Sequence, residues 1–164
     1  MLPAMAVATI LVLVIVTIHY EALRLISRAL PRLTMLAPRQ RLIAVLMAVF
    51  AAHTVEVWVY GVGYYGLDHW IDIGGFGGVP MAGIADYVYF SIVTFSTLGF
   101  GDVVPHGGLH LVAGVEAVNS FLMIGWSASY TYIAISELWN LHDEFAAARR
   151  QRRSPDRPDR GGSP

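Results

Sequence analysis

The sequence lacks cysteine altogether and has few charged residues. The absence of cysteine from all 164 residues excludes disulfides, thiolate metal sites and a cysteine nucleophile. Only 14% of the residues are charged, whereas a soluble domain carries about 25%. Hydrophobic residues make up 55%, and the mean hydropathy is +0.55. Because one small core cannot bury this much apolar surface, the composition predicts an integral membrane protein.

Lysine is also missing, and the arginines fall into two blocks. The blocks cover residues 24–41 and 149–160, and residues 42–148 contain no basic residue. A nucleic-acid-binding protein needs basic side chains spread over its folded surface, so nucleic acid is not an expected partner. Clusters of arginine beside apolar runs are instead typical of membrane topology. Many Ala and Arg without Lys indicate a GC-rich genome, and we expect a bacterial inner membrane as the location.

Three uncharged runs are long enough to cross a membrane. They cover residues 1–20, residues 42–67 with Glu56 as the only interruption, and residues 103–136 with Glu116 as the only one. The first run precedes its arginines, whereas a cleaved signal peptide has a basic segment ahead of its apolar core. We therefore predict a retained first span with the N-terminus outside. The third span should be a helix from about Leu109 to Glu137.

A fourth apolar segment, residues 87–101, is too short to span. A helix over this range is about 22 Å long, and the hydrocarbon layer is ~30 Å thick. The Gly-rich residues 66–85 before it predict an irregular outer loop, and Asp86 is suited to cap the short helix. If the segment re-enters rather than crosses, both arginine blocks lie on the cytoplasmic side, together with the C-terminus. The predicted fold is an all-α, multi-pass membrane protein with three spans and one re-entrant short helix and loop.

Residues 97–102, directly after the short helix, read Thr-Leu-Gly-Phe-Gly-Asp. Irregular backbone at membrane depth is tolerated only where protein buries it or it lines a water-filled path. Alternating glycines allow left-handed torsions, so that successive carbonyls can point the same way. A row of carbonyls can replace the water shell of K⁺, and the Thr97 hydroxyl can add further ligands.

This segment resembles the selectivity-filter signature of potassium channels, with Leu98 and Phe100 in place of the usual Val and Tyr. The resemblance covers residues 86–135 and extends to the preceding and following spans as outer and inner helices, as in two-span prokaryotic potassium channels. It implies stacked K⁺ sites at the carbonyls of Thr97, Leu98, Gly99 and Phe100, next to Gly101, with Asp102 at the outer mouth. It also implies pore-helix residues and a cavity or gate on the inner helix. The pore-helix candidates are Tyr89, Phe90, Ser91 and Thr94, and the cavity or gate candidates are Leu122, Gly125, Ser129 and Ile133.

One pore segment per chain cannot close a ring, and the sequence has no internal repeat. We therefore expect a homotetramer in lipid, with K⁺ as the transported ion and no cofactor. The outer loop and mouth carry Asp68, Asp72, Asp86 and Asp102 without a basic residue, so the outer field should attract cations. Gly125 can serve as a gating hinge or allow close helix packing.

Two acidic residues inside the spans, Glu56 and Glu116, need a partner or water, because an ionised side chain there costs about 3 kcal/mol. One interpretation is that these two residues, with Asn119, hydrogen-bond the pore helix or the filter support and fix the packing. The other joins them with His53 and Asn119, because His53 and Glu56 share a helix face, into a metal or proton site.

The predicted organisation has three parts: residues 1–40 with the first span and an Arg-rich linker, residues 41–137 as pore domain, and residues 138–164 as a disordered cytoplasmic tail. We predict a potassium-selective channel without enzyme activity. The alternatives are a poorly selective monovalent cation channel, a nonconducting membrane subunit, or an intramembrane metal-dependent enzyme built on His53, Glu56 and Glu116.

Overall fold

A computed structural model describes residues 1–33, 36–71 and 73–153, which form four α-helices and one two-stranded ladder. Side chains beyond residue 136 are outside this description. In chain order, the elements are α1 (Leu2–Ala29), a 3₁₀ turn (Leu30–Arg32), α2 (Pro38–Trp70), β1 (Phe76–Gly78), α3 (Ile84–Phe95), β2 (Val103–Pro105) and α4 (Leu109–Arg153).

Three of the helices are long and apolar enough to cross a membrane. The candidate spans are Leu2–Arg32, Arg39–Trp70 and Leu109–Ser136, which confirms the three predicted spans. Helices suit such sequences because every backbone polar group within them is paired internally. Proline stands in the first turn of both α1 and α2, where its missing N–H costs no helical hydrogen bond.

The first helix is part of the core of the chain. Its buried residues follow one another at intervals of four or seven, which places them on one face. They are Ala4, Ala8, Ile15, His19 and Leu23. This face packs against both α2 and α4, so the first span is joined to these two helices and is not an isolated anchor.

The short helix α3 begins three residues before the predicted segment 87–101 and ends six residues before its end. Its N-cap is Gly83, and Asp86 lies in the first turn rather than at the cap itself. The Asp86 carboxylate accepts hydrogen bonds from the backbone N–H groups of Ala82 at 2.7 Å and Gly83 at 2.9 Å. A carboxylate at this end also compensates the partial positive charge of the helix dipole. The helix is about 18 Å long, and this confirms a segment too short to span.

An aromatic core lies between α2, α3 and α4. Tyr64 contacts Phe90 edge to face with the ring centroids 5.1 Å apart, and both side chains are buried. The backbones of α2 and α3 approach closely at Gly61, where an added Cβ would lie 2.9 Å from the Cα of Val88. Close contact between these helices therefore requires glycine at position 61.

The outer loop is shorter and more ordered than predicted. Helix α2 continues to Trp70, and β1 pairs antiparallel with β2 in the register Phe76 to Pro105 and Gly78 to Val103. The ladder was not predicted because β1 is Gly-rich and has low β-propensity, and β2, although it contains two valines, is only three residues long. It joins the segment before α3 to the segment after the Thr-Leu-Gly-Phe-Gly-Asp loop. Asp72 lies outside the described residues.

Helix α4 also continues further than predicted. The backbone is helical through Arg153, which corrects the expectation of a disordered tail from residue 138. The reason lies in the residues themselves, because Ala146, Ala147 and Ala148 with the following arginines are strong helix formers and the first proline is Pro155. The rest of the predicted tail, residues 154–164, lies outside the described residues.

Candidate functional site

The loop after α3 alternates between left-handed and ordinary backbone torsions. Thr97, Gly99 and Gly101 have φ angles of 59°, 55° and 78°, whereas Leu98 and Phe100 between them do not have positive φ. Among the described residues, Thr97 is the one non-glycine with positive φ, a conformation that L-residues rarely adopt. Such an alternation is what turns successive carbonyls toward one side of an extended chain.

The inner end of this loop is tied back to α3. The carbonyl oxygen of Val93 accepts hydrogen bonds from the N–H groups of Leu98 at 3.0 Å and Gly99 at 3.2 Å. The N–H of Thr97 donates to the carbonyl of Thr94 at 2.9 Å. These bonds turn the N–H groups of the loop toward the helix. They also provide donors for carbonyl groups that the end of the helix would otherwise leave unpaired.

The C-terminal end of the loop is held at Asp102 by α3 and by the residue after β1, and by the N–H of the next residue. One carboxylate oxygen accepts a hydrogen bond from the Tyr89 hydroxyl of α3 at 2.7 Å, and the other accepts one from the N–H of Val103 at 3.1 Å. The carbonyl of Asp102 accepts a bond from the N–H of Val79 at 2.9 Å. The bond to the carboxylate raises the pKa of the Tyr89 phenol, because it stabilises the protonated hydroxyl. The loop is therefore fixed at both ends.

Apolar side chains of this loop are exposed, because no other described part of the chain packs against them. Leu98 and Phe100 are 58% and 64% exposed. On α4, the residues predicted for a cavity or gate share this exposure: Leu122, Gly125, Ser129 and Ile133. An added Cβ at Gly125 would meet nothing within 4 Å, so no contact within the chain requires glycine there. The remaining explanations for Gly125 are a hinge or a contact between chains.

Glu116 of α4 is fully buried and joins three helices. One of its carboxyl oxygens accepts a hydrogen bond from the Ser91 hydroxyl of α3 at 2.6 Å, and the other accepts one from the Tyr64 hydroxyl of α2. Asn119, one turn further along α4, donates to the Tyr60 hydroxyl of α2 at 3.1 Å. Buried polar networks of this kind fix helix positions, because each unpaired group would be costly. The network therefore fixes the Ser91 face of α3, the helix that precedes the loop.

Glu56 belongs to a different cluster, although the sequence analysis considered it together with Glu116. Its two carboxyl oxygens lie 2.8 Å from Nδ1 of His19 and 2.9 Å from Nδ1 of His53. His19 stands on α1 and was not among the predicted site residues. The signal for it was present, because a histidine inside an otherwise apolar span needs a polar partner. The three residues of the enzyme hypothesis therefore do not form one site. His53 and Glu56 lie together, whereas Glu116 accepts hydrogen bonds from α2 and α3 in a separate network.

The pore-helix candidates have different surroundings. Phe90 and Ser91 are buried toward α2 and α4, Thr94 is half-buried, and Tyr89 is exposed on the side of the loop. The opposite faces of α3 thus serve two purposes. One packs into the chain through Ser91, and the other supports the loop through Tyr89.

A short helix and a torsionally alternating loop between two membrane-capable helices define a channel-like, all-α membrane protein. The family model described as "Ion channel" matches residues 45–137, which run from α2 through the loop into α4. The match covers more than half of the chain, and the chain therefore belongs to this ion channel family. Comparisons with curated proteins and with solved structures returned no match.

Proposed function

We propose that the chain forms a homotetrameric, potassium-selective channel that conducts K⁺ passively. The observation that carries this proposal is the alternation of positive φ at Thr97, Gly99 and Gly101 in a loop at the end of a short helix. In the proposed filter, the carbonyls of Thr97, Leu98, Gly99 and Phe100 are the K⁺ ligands, and the Thr97 hydroxyl adds an inner ring. K⁺ is the transported ion, and no cofactor takes part.

Selectivity for K⁺ over Na⁺ requires several carbonyl sites held at a defined field strength or spacing. Two observations support such a filter: the Val93 carbonyl holds the inner end, and Tyr89 holds Asp102 at the outer end at 2.7 Å. Phe100 has no hydroxyl that could add a further brace. The Tyr89 bond is therefore the main side-chain support of the outer filter.

Four copies are needed because one loop supplies a quarter of a ring. Exposed apolar residues on α4 support association through this helix: Val118 at 65%, Phe121 at 71% and Leu122 at 59%. In the proposed tetramer, the face with Leu122, Gly125, Ser129 and Ile133 lines the cavity or gate below the filter.

Electrostatics favour cation entry from the side where the loop ends. Asp68, Asp86 and Asp102 lie on that side, and residues 42–148 contain no basic residue. The C-terminal end of α3 adds partial negative charge at the inner end of the loop. We place the N-terminus and the mouth outside, the arginine blocks in the cytoplasm, and the protein in a bacterial inner membrane.

The test is the reversal potential of the purified protein in planar bilayers under opposed K⁺ and Na⁺ gradients. We expect reversal near the K⁺ equilibrium potential. Gly99→Ala should abolish the selective current, because alanine at φ 55° costs about 1–2 kcal/mol and the four copies of the loop would be distorted together.

The matched control is Gly114→Ala, at an exposed helical glycine of α4 where an added Cβ meets nothing within 4 Å. This variant should retain the selective current. Reversal near zero would instead indicate a poorly selective monovalent cation channel. If no current and no K⁺ binding are found, the chain is a nonconducting subunit and the proposal is wrong.

A further inference from the structure

Three side chains with metal-ligating atoms converge at a buried point between α1 and α2. His19 comes from α1, and His53 and Glu56 come from α2, one helical turn apart. One ligand atom from each lies within 4.8 Å of the others, and within the described part of the chain no second cluster of this kind occurs. His19 and Glu56 are 0% exposed, and the His53 side chain is 19% exposed.

The charge of this cluster is not balanced by a basic side chain of the pore domain. Residues 42–148 contain neither Lys nor Arg. Arg24, the arginine closest to His19 in sequence, pairs with Glu21 at 2.9 Å. A carboxylate buried among spanning helices is costly unless a positive charge accompanies it. If the Glu56 carboxyl group is ionised, that charge is a proton on one imidazole or a bound cation.

The orientation of the rings leaves room for a cation as well as for a shared proton. Both imidazoles turn Nδ1 toward the same carboxyl group, one toward each oxygen, and one ligand atom from each of the three side chains lies within 4.8 Å of the others. The other ring nitrogen of His19 lies 3.3 Å from the Ser127 hydroxyl of α4. Metal-ligating histidines usually have such a partner on the second nitrogen, because it fixes the tautomer and the ring orientation.

We propose that His19, His53 and Glu56 bind a divalent transition-metal ion of the Zn²⁺ type. Two imidazoles and one carboxylate suit Zn²⁺ and its neighbours in the first transition series, whereas Mg²⁺ and Ca²⁺ prefer oxygen ligands throughout. Three protein ligands leave a fourth position open for water. Trp126 and Phe95 surround the site with apolar surface, with ring centroids 5.4 Å from His19 and 5.7 Å from His53.

A metal bound at this location would link different helices of the chain. Its ligands would fasten α1 to α2, Ser127 would connect it to α4, and Phe95 is the last residue of α3. A metal here would therefore hold the first span against the pore-forming helices. This inference is independent of conduction, because it concerns binding and stability.

The experiment is metal titration of the chelator-treated, full-length protein in detergent. We expect one Zn²⁺ per chain by elemental analysis after gel filtration, a raised Tm, and the visible absorption of tetrahedral Co²⁺ when Co²⁺ is the probe. His19→Gln and Glu56→Gln should each weaken binding by about 100-fold or more, because each removes a ligand. The matched control, His69→Gln, removes an exposed histidine outside the cluster and should leave binding unchanged.

A conservative variant separates metal binding from a plain hydrogen-bond role. His19→Cys introduces the chain's first thiol, which is a good Zn²⁺ ligand but a weak hydrogen-bond donor. We expect it to regain Zn²⁺ binding and the Zn²⁺-dependent rise in Tm. This readout also serves if His19→Gln fails to fold. The proposal is overturned if the wild-type protein binds no Zn²⁺ or Co²⁺, or if His19→Gln and His19→Cys bind them equally.

Discussion

The spans contain two buried glutamates, Glu56 and Glu116. Both are 0% exposed, yet they have different kinds of hydrogen-bond partner. Glu116 accepts hydrogen bonds from two hydroxyls, those of Ser91 and Tyr64. Glu56 lies between two imidazoles, those of His19 and His53. Hydroxyl partners keep a carboxyl group in a fixed network, whereas imidazoles can share a proton or a metal with it.

The difference separates two structural tasks. The Glu116 network holds α3 on the side that faces α2 and α4, and so fixes the helix that carries the proposed filter loop. The Glu56 cluster holds α1, which lies outside the matched residues 45–137, against that unit. A perturbation of the first should thus affect the pore domain, and a perturbation of the second should affect mainly the attachment of the first span.

The largest effect is expected from Glu116→Ala. It leaves the hydroxyls of Ser91 and Tyr64 buried without an acceptor, and each such group costs about 1–3 kcal/mol. We expect the free energy of unfolding in detergent to fall by about 2–5 kcal/mol, together with loss of channel current. The exposed Glu21→Ala is the control and should change stability by less than about 1 kcal/mol. A fall no larger than that of the control would remove Glu116 from the support of α3.

A smaller and more local effect is expected from Glu56→Gln. The amide can still pair with one imidazole, so the free energy of unfolding should fall by about 1–3 kcal/mol. Hydrogen exchange should increase in α1 around His19 more than in α3, because α1 loses its polar attachment. If exchange instead increases first in α3, the two glutamates act as one network and the comparison fails.

The smallest effect separates two tyrosines of α2. Tyr64 donates to the Glu116 carboxyl group, which is 0% exposed, and leaving a buried acceptor without its donor costs about 1–3 kcal/mol. Tyr60 accepts from the neutral Asn119 at 3.1 Å, and such bonds contribute about 0.5–1.5 kcal/mol. Tyr64→Phe should therefore destabilise more than Tyr60→Phe in thermal unfolding. Equal losses, or no coupling between Tyr64→Phe and Ser91→Ala in a double-mutant cycle, would contradict the Glu116 network.

Local sequence patterns predicted the parts of the molecule that depend on local composition. The three spans follow from long uncharged runs, and the short α3 and its loop follow from a charge-free segment too brief to cross. The Gly99 and Gly101 positions were expected to take left-handed torsions, and both do. The β1–β2 ladder and the continuation of α4 to Arg153 were not predicted, because short Gly-rich pairing and helix propensity near the chain end give weak signals.

The pairing of Glu56 with His19 could not be predicted from local sequence patterns. Spacing along α2 placed His53 beside Glu56, but it could not show which neighbouring helix would supply the other partner. His19 is 37 residues away from Glu56, and Ser127 is 108 residues away from His19. No periodicity within one helix reports contacts at such separations.

The sequence by itself determined the membrane class, the number of spans and the position of the glycine-containing loop after α3, because hydropathy, helix length and glycine torsions act within a few turns of chain. Only the tertiary structure decided which buried polar groups meet. It placed Glu116 with Ser91 and Tyr64, and it placed Glu56 with His19 and His53. The physical reason is that an apolar helix can turn any of several faces toward its neighbours, and the choice depends on packing and hydrogen bonding across all four helices together.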